Sequence, residues 1–171
     1  SAQCTDARVN LVTPALFEKY KTLDDYCSAD VKDIEKIIYS CGFYKSKAES
    51  IIDMAKGVRE RFGGIVPDSI DDLITLNGVG RKTANLIVGD IYHKQAIVVD
   101  THMIRIANRI GLVSEKDPKK IEFALKKLIP AEESSDFCHR IVLFGRDTCP
   151  ARKPKCDGCP MEFNCKKIGV K

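Results

Sequence analysis

The spacing Cys149-x6-Cys156-x2-Cys159-x5-Cys165 constrains this chain more than any other feature. Four thiols in so short a stretch converge only on something central to them. A pair of disulfides requires an oxidising compartment, and nothing in the sequence indicates secretion, so the cluster reads as a metal site. Structural zinc usually takes two short Cys-x2-4-Cys knuckles, and only Cys156 and Cys159 have that spacing. The outer ligands stand off by longer gaps, which suits a larger iron–sulfur cubane. Spacing alone leans to iron–sulfur and leaves zinc open. The gaps also differ from the bacterial ferredoxin run, so a cluster that staples a loop is expected rather than a dedicated electron carrier. The remaining thiols, Cys4, Cys27, Cys41 and Cys138, lie mostly among apolar neighbours and read as small buried hydrophobes.

With 171 residues and 44% hydrophobic content, the chain has enough apolar material for one large domain or two small ones. Composition excludes intrinsic disorder, and no apolar run approaches the roughly 20 residues that span a bilayer. The sequence starts at Ser1 with no basic-then-apolar leader, which gives an intracellular reading: cytoplasm or nucleoid for a prokaryotic protein. Net charge is +4, and all of it falls in residues 149 to 171, where Arg152, Lys153, Lys155, Lys166, Lys167 and Lys171 oppose Asp157 and Glu162. A basic end on a neutral body points to a polyanion, nucleic acid first; a solvated tail is the competing reading.

Apolar spacing is helical nearly throughout. Stripes run through Val31, Ile34, Ile37 and Ile38, then through Ala48, Ile51, Ile52, Ala55 and Val58. Ile70, Leu73 and Ile74 follow a Pro67-Asp68 helix start. Leu86, Ile87 and Ile91 continue the series, followed by Ile104, Ala107 and Ile110, by Ile121, Ala124, Leu125 and Leu128, and by Phe137, Ile141 and Phe144. Only Ala96-Ile97-Val98-Val99 is strand-like, and it is too short and solitary to make a sheet, so the class is all-α. Turn signals fall at Cys41-Gly42, Gly63-Gly64, Asn77-Gly78 and Ile110-Gly111. Lys119, Lys120, Lys126 and Lys127 read as the wet face of one helix.

The run Leu76-Asn77-Gly78-Val79-Gly80-Arg81-Lys82-Thr83-Ala84-Asn85 is the most telling motif. One helix ends near Leu76, the two glycines make a tight turn, and a second helix opens near Arg81. Gly78 and Gly80 let the backbone turn and approach a ligand with no Cβ in the way, while Val79 plugs the gap between the helices. The N–H groups at the start of the second helix converge on one spot, which suits a phosphate.

Taken together, Ser1-Ala2-Gln3-Cys4-Thr5-Asp6, Gly42-Phe43-Tyr44-Lys45-Ser46-Lys47-Ala48, the hairpin, Val99-Asp100-Thr101-His102 and the cysteine loop resemble the helix–hairpin–helix DNA glycosylases of the endonuclease III type. The resemblance covers nearly the whole chain and implies an all-α glycosylase fold with a [4Fe–4S] cluster on Cys149, Cys156, Cys159 and Cys165. Three departures stand out. Asn77 replaces the usual proline and is expected to loosen the turn slightly, and Phe43 replaces a common aliphatic wedge. The family also has helices before the Ser-Ala-Gln segment, so the chain looks N-terminally truncated. The expected division is a helical domain over 1–112, with the hairpin at 67–92, and a C-terminal part over 113–171 carrying the cluster loop.

Asp100 stands just before the stripe that begins at Ile104, an N-cap position where the helix dipole keeps a carboxylate ionised. A lone Asp there is usually a cap; the Val-Asp-Thr-His match turns the reading toward catalysis, with the carboxylate facing the reacting sugar. Lys82 follows the hairpin, and its reference pKa of about 10.4 must fall for the amine to act as a nucleophile. Burial at a positive helix start near Arg81 is expected to lower it. The resemblance implies that this lysine marks the bifunctional branch, which excises oxidised or saturated pyrimidines and then cleaves the abasic strand. Gln3 and Phe43 are candidates to fill the hole left by a flipped base, with core packing as the other reading of Phe43. DNA contacts are further expected from Gly78, Val79, Gly80, Arg81, Thr83, His102, Arg152 and Lys153. His102 contacts a phosphate or supports Asp100, and His93 and His139 read as structural. The expected partner is double-stranded DNA with a damaged pyrimidine or abasic site, met by a monomer. Rival readings are a monofunctional mismatch glycosylase, a non-catalytic helix–hairpin–helix DNA-binding module and a redox carrier.

Overall fold

The computed structural model describes residues 1–170; Lys171, counted above in the basic end, lies outside them. Nine α-helices and one short 3-10 turn occupy the described residues, with no strand among them. None of these helices is long and apolar enough to cross a membrane. The chain separates into two compact units, Ser1–Gly80 and Arg81–Lys171.

The first unit holds α1 (Asp6–Lys19), α2 (Leu23–Cys27), α3 (Val31–Ile37), α4 (Tyr44–Phe62) and α5 (Ile70–Leu73). Side-chain oxygens start most of them: Thr5, Thr22, Asp30 and Ser69 each accept a first-turn N–H of α1, α2, α3 and α5. The cap of α5 is therefore Ser69, not Pro67-Asp68, because it is the Ser69 hydroxyl that accepts the Asp72 N–H. Leu16, Tyr20, Ile34, Ile38, Ala48 and Ile52 form the core. The apolar pattern gave no signal for α1, and the structure shows why. Only Leu16 of that helix is buried, Leu11 and Phe17 are exposed, and Pro14 lies inside it.

The second unit holds α6 (Arg81–Asp90), α7 (Thr101–Ile110), α8 (Pro118–Lys126), a 3-10 turn (Ala131–Glu133) and α9 (Ser134–Asp147). Ile97, Met103, Ile106, Ala107, Ile121 and Leu125 are its buried centre. Two expectations are corrected here. The inward face of α6 is Ala84, Asn85, Val88 and Gly89, while Leu86 and Ile91 are exposed. Small residues face inward because a Cβ at Gly89 would already lie 3.3 Å from Ala96 Cβ. Lys126 is also not on a uniformly wet face; its ammonium turns in to the buried Glu122 at 2.9 Å.

The close approach of α7 and α9 depends on Gly145. A Cβ there would sit 2.4 Å from His102 Nδ1 and 2.8 Å from Ile106 Cδ1. Any larger residue would push the helices apart.

Candidate active site and cysteine loop

The hairpin forms where the sequence placed it. α5 gives way to tight turns through Leu76, and α6 opens at Arg81. Gly78 has φ +76, and a Cβ there would meet Ser50 Cβ at 2.8 Å, so conformation and space both demand glycine. At Gly80 nothing lies within 4 Å of the Cβ position, which leaves this peptide open to an incoming group. Val79 is half-buried and donates its N–H to Leu76. Asn77 does not leave the turn loose: its amide donates to Asp53 on α4 at 2.8 Å.

Lys82 and Thr83 follow in the first turn of α6, and the burial expected of Lys82 is not found: both residues are exposed, because the inward face of this helix belongs to Ala84, Asn85, Val88 and Gly89. Arg81 points elsewhere. Its guanidinium grips Glu122 of α8 in a two-pronged contact at 2.6 and 2.9 Å and lies over the Phe123 ring at 5.3 Å. Burial pushes the Glu122 carboxyl up, but the hydrogen bonds from Arg81 and Lys126 outweigh it and hold the group below its usual range. The start of α6, and with it Lys82, is thus pinned to α8 by a buried carboxylate.

Asp100 is the N-cap of α7. Its side chain accepts the Met103 N–H at 2.8 Å, and it is partly exposed. The strand-like residues before it pair with no strand. Instead, three buried side chains take their N–H groups in succession. Ser134 Oγ accepts from Ala96 at 3.2 Å, Asn85 Oδ1 from Ile97 at 3.1 Å, and Cys138 Sγ from Val98 at 3.3 Å. An extended backbone buried away from any sheet must satisfy its donors somehow, and side chains do so here. Asn85 also donates to the Arg81 carbonyl at 3.1 Å, so one amide ties the Lys82 turn of α6 to the segment that delivers Asp100. His102 is half-buried, with Nδ1 3.1 Å from Arg105 Nη2. A guanidinium only donates, so this nitrogen accepts and the ring proton of neutral His102 sits on Nε2.

The four cysteines at 149, 156, 159 and 165 are free thiols lining one small recess of about 20 Å³. Among the described residues no three His, Cys, Asp or Glu side chains close tightly enough to hold a single ion. Four thiols on one recess are a donor set suited to a metal group with thiolate ligands. N–H donors already face these sulfurs: Met161 to Cys159 at 3.4 Å, Lys167 to Cys165 at 3.3 Å and Arg109 Nη1 to Cys149 at 3.3 Å. Both ends of the loop are held by α7. Arg109 donates to the Pro150 and Ala151 carbonyls at 2.7 and 2.8 Å, and its own carbonyl accepts from Ile168 at 3.0 Å. Arg105 adds bonds to the carbonyls of Gly145 and Cys149 at 3.0 Å each. Arg152 and Lys153 are exposed between the first two cysteines.

In the first unit, Gln3 and Phe43 are both exposed and both left-handed, with φ 53 and 59. Phe43 does not pack in the core; it is 68% exposed, and Lys47 Nζ lies 5.7 Å from its ring centre.

Asn85, Arg105, Arg109, Glu122 and Cys138 escaped the sequence reading. Arg105 and Arg109 did carry a signal, as two arginines one turn apart beside an apolar stripe. Asn85 and Glu122 each have one partner a turn away, in Arg81 and Lys126, but their other bonds, to Ile97 and Arg81, reach 12 and 41 residues along the chain and leave no local signal.

The profile described as HhH-GPD superfamily base excision DNA repair protein matches residues 1–131. Endonuclease III of Bacillus subtilis (strain 168) is 42% identical over 168 residues, which are 98% of this chain and 77% of that protein. Endonuclease III of Synechocystis sp. is 43% identical over 166 residues, covering 96% and 76%. Among solved structures, a trapped Endonuclease III–DNA covalent intermediate aligns with a TM-score of 0.88 at 42% identity, covering 96% of this chain and 78% of that one. A thermostable thymine-DNA glycosylase aligns at 0.86 with 28% identity, over 96% and 78%.

Proposed function

The chain belongs to the HhH-GPD superfamily of base excision DNA repair proteins, and from that premise we propose a bifunctional DNA glycosylase and AP lyase that removes oxidised or saturated pyrimidines. Its partner is double-stranded DNA carrying such a base or an abasic site, met by a monomer inside the cell. One observation carries the reading: the helix turn that bears an exposed lysine and the segment that ends in a carboxylate capping the next helix are tied by one buried amide, Asn85, through the Arg81 carbonyl and the Ile97 N–H. A plain DNA grip has no use for such a pairing. The 42%-identical Endonuclease III, trapped as a covalent intermediate with DNA, supports the same reading.

The damaged nucleotide leaves the stack readily because it stacks poorly. Lys82 Nζ, as the free amine, bonds to C1′ while the base departs with the glycosidic electron pair and takes up a proton. Asp100 offsets the positive charge at the sugar and takes the ammonium proton. The nitrogen lone pair then opens the sugar ring: the C1′–O4′ bond breaks, O4′ takes up a proton, and the protonated imine so formed acidifies the C2′ hydrogen, whose loss expels the 3′ phosphate and breaks the strand. Gln3 and Phe43 fill the vacated space, and the Gly78–Thr83 backbone with the Thr83 hydroxyl holds phosphate. Cys149, Cys156, Cys159 and Cys165 hold a [4Fe–4S] cluster that, when bound, fixes the loop carrying Arg152 and Lys153. Each of these two charges, once removed, should flatten the salt dependence of DNA binding by about one unit of log–log slope.

The test uses the full-length holoprotein and an oligonucleotide with one oxidised pyrimidine. Borohydride should trap a protein–DNA adduct, and the strand should be nicked without added alkali or amine. Lys82→Gln should abolish both. Equal trapping by that variant would remove Lys82 from the mechanism. Base release without nicking would instead favour the monofunctional reading.

A further inference from the structure

Cys4 and Cys41 read from sequence as ordinary buried hydrophobes, but the fold brings them together. Cys41 is 6% exposed, in the turn between α3 and α4, and Cys4 is partly exposed in the turn before α1. Both are free. The two turns touch along their backbones: a Cβ on Gly42 would lie 3.6 Å from the Gln3 carbonyl oxygen, and Lys47 Nζ donates to the Ala2 carbonyl at 2.8 Å. Burial raises the Cys41 thiol, with the adjacent Cys4 thiol the next cause, and the Lys47 charge acts against both. An accessible thiol beside a buried one, with an ammonium group at hand, is the arrangement in which the first sulfur is attacked and the second resolves.

We propose that Cys4 and Cys41 form a modification site that closes an intrachain disulfide, clasping the turn that carries Gln3 to the turn that carries Phe43. The oxidant is a low-molecular-weight disulfide. The Cys4 thiolate attacks one of its sulfurs and releases one small thiol. Cys41 then loses its proton to solvent and attacks the Cys4 sulfur, releasing the second. Two protein thiols are oxidised, and one small disulfide is reduced to two thiols. The bond closes a long loop that includes α1, α2 and α3, which restricts the unfolded chain and stabilises the first unit. The pair is a property of these two turns whether or not Gln3 and Phe43 enter DNA.

The experiment exposes the full-length holoprotein to oxidised glutathione, blocks remaining thiols with N-ethylmaleimide and digests with trypsin without reductant. The expected product is the peptide ending at Arg8 joined to the peptide 37–45, together with a higher melting temperature than the reduced protein has. Cys4→Ser, at the more exposed position, should lose both the joined peptide and the rise while keeping the reduced protein's melting temperature. Recovery of Cys4 as a glutathione adduct with Cys41 unlinked would overturn the proposal. So would a joined peptide that forms only in denaturant.

Discussion

Residues 96–100 and the cysteine loop both serve the same unit, and they are held in place by different means. The first segment is fixed from inside the protein. Ser134, Asn85 and Cys138 take three consecutive N–H groups, and Asp100 ends the segment by capping α7. The cysteine loop is held by short local turns instead, among them the bonds from Lys155 to the Thr148 carbonyl, from Cys159 to Cys156 and from Cys165 to Met161. Phe163 is 97% exposed, Lys153 and Lys167 are left-handed, and α7 grips the loop mainly near its two ends. The carboxylate is thus positioned by buried side chains, whereas on the cluster reading proposed above the basic loop depends further on what its four thiols bind.

The largest expected effect tests that dependence. Cys159→Ser, or removal of the bound group by a chelator and oxidant, should expose the loop to trypsin at Arg152, Lys153 and Lys155. Cleavage there should accelerate on the order of a hundredfold, a sub-global opening, while sites in α6 to α9 stay protected. DNA binding should weaken with it, and the trappable amine should survive. If loop and helices lose protection together, the two segments are one cooperative body and the contrast is wrong.

Sequence patterns captured whatever was local. The hairpin glycines, the Asp100 cap and the four thiols are each set by neighbours a few residues away, so their roles could be read in order along the chain. α4 was equally legible, because its buried positions recur at helical spacing, whereas the stripe read through Ile104, Ala107 and Ile110 shares only Ala107 with the buried face of α7, which Met103 and Ile106 complete. What stayed hidden was every case in which a polar side chain does distant work. Asn85 looked like the tail of a phosphate motif, yet its oxygen serves Ile97. Glu122 sat among lysines that suggested a wet face, yet it is buried under Arg81 and Lys126. Pattern reading assigns polar residues to solvent by default, and it fails where a buried charge has found its partners.

Glu122→Gln should have the next largest effect. It strips the shared partner from two cations and should destabilise the protein by about 3 kcal/mol. The carboxyl is held below its usual range in the fold, so its contribution is complete above the unfolded glutamate pKa of about 4.3 and fades as pH falls through the lower folded value. Urea melts of both proteins across the acid range should converge at the low end. A constant gap down to the lowest pH would mean the ion pair does not account for the difference. Because Arg81 anchors the start of α6, nicking should suffer more than DNA binding.

Asn85→Leu leaves the buried Ile97 N–H without a partner at nearly constant volume, and roughly 2 kcal/mol should be lost. Single-turnover base release should slow even where the variant is fully folded, because the link between Lys82 and Asp100 is gone. An unchanged rate in the folded variant would reduce Asn85 to a core residue.

Cys138 offers the gentlest probe of the same segment. Sulfur is a weak acceptor, so Cys138→Ala should destabilise by only about 1 kcal/mol, clearly less than Asn85→Leu. Burial also pushes its thiol up to about 11, with the Val98 N–H acting in the opposite sense. In the folded protein at neutral pH, iodoacetamide should therefore modify Cys4 long before Cys138. Cys138 should become reactive only when the segment opens, so its alkylation rate should rise in Asn85→Leu and stay low in Cys159→Ser. The reverse pattern would show that the cysteine loop, and not the buried amide, holds Asp100 in place.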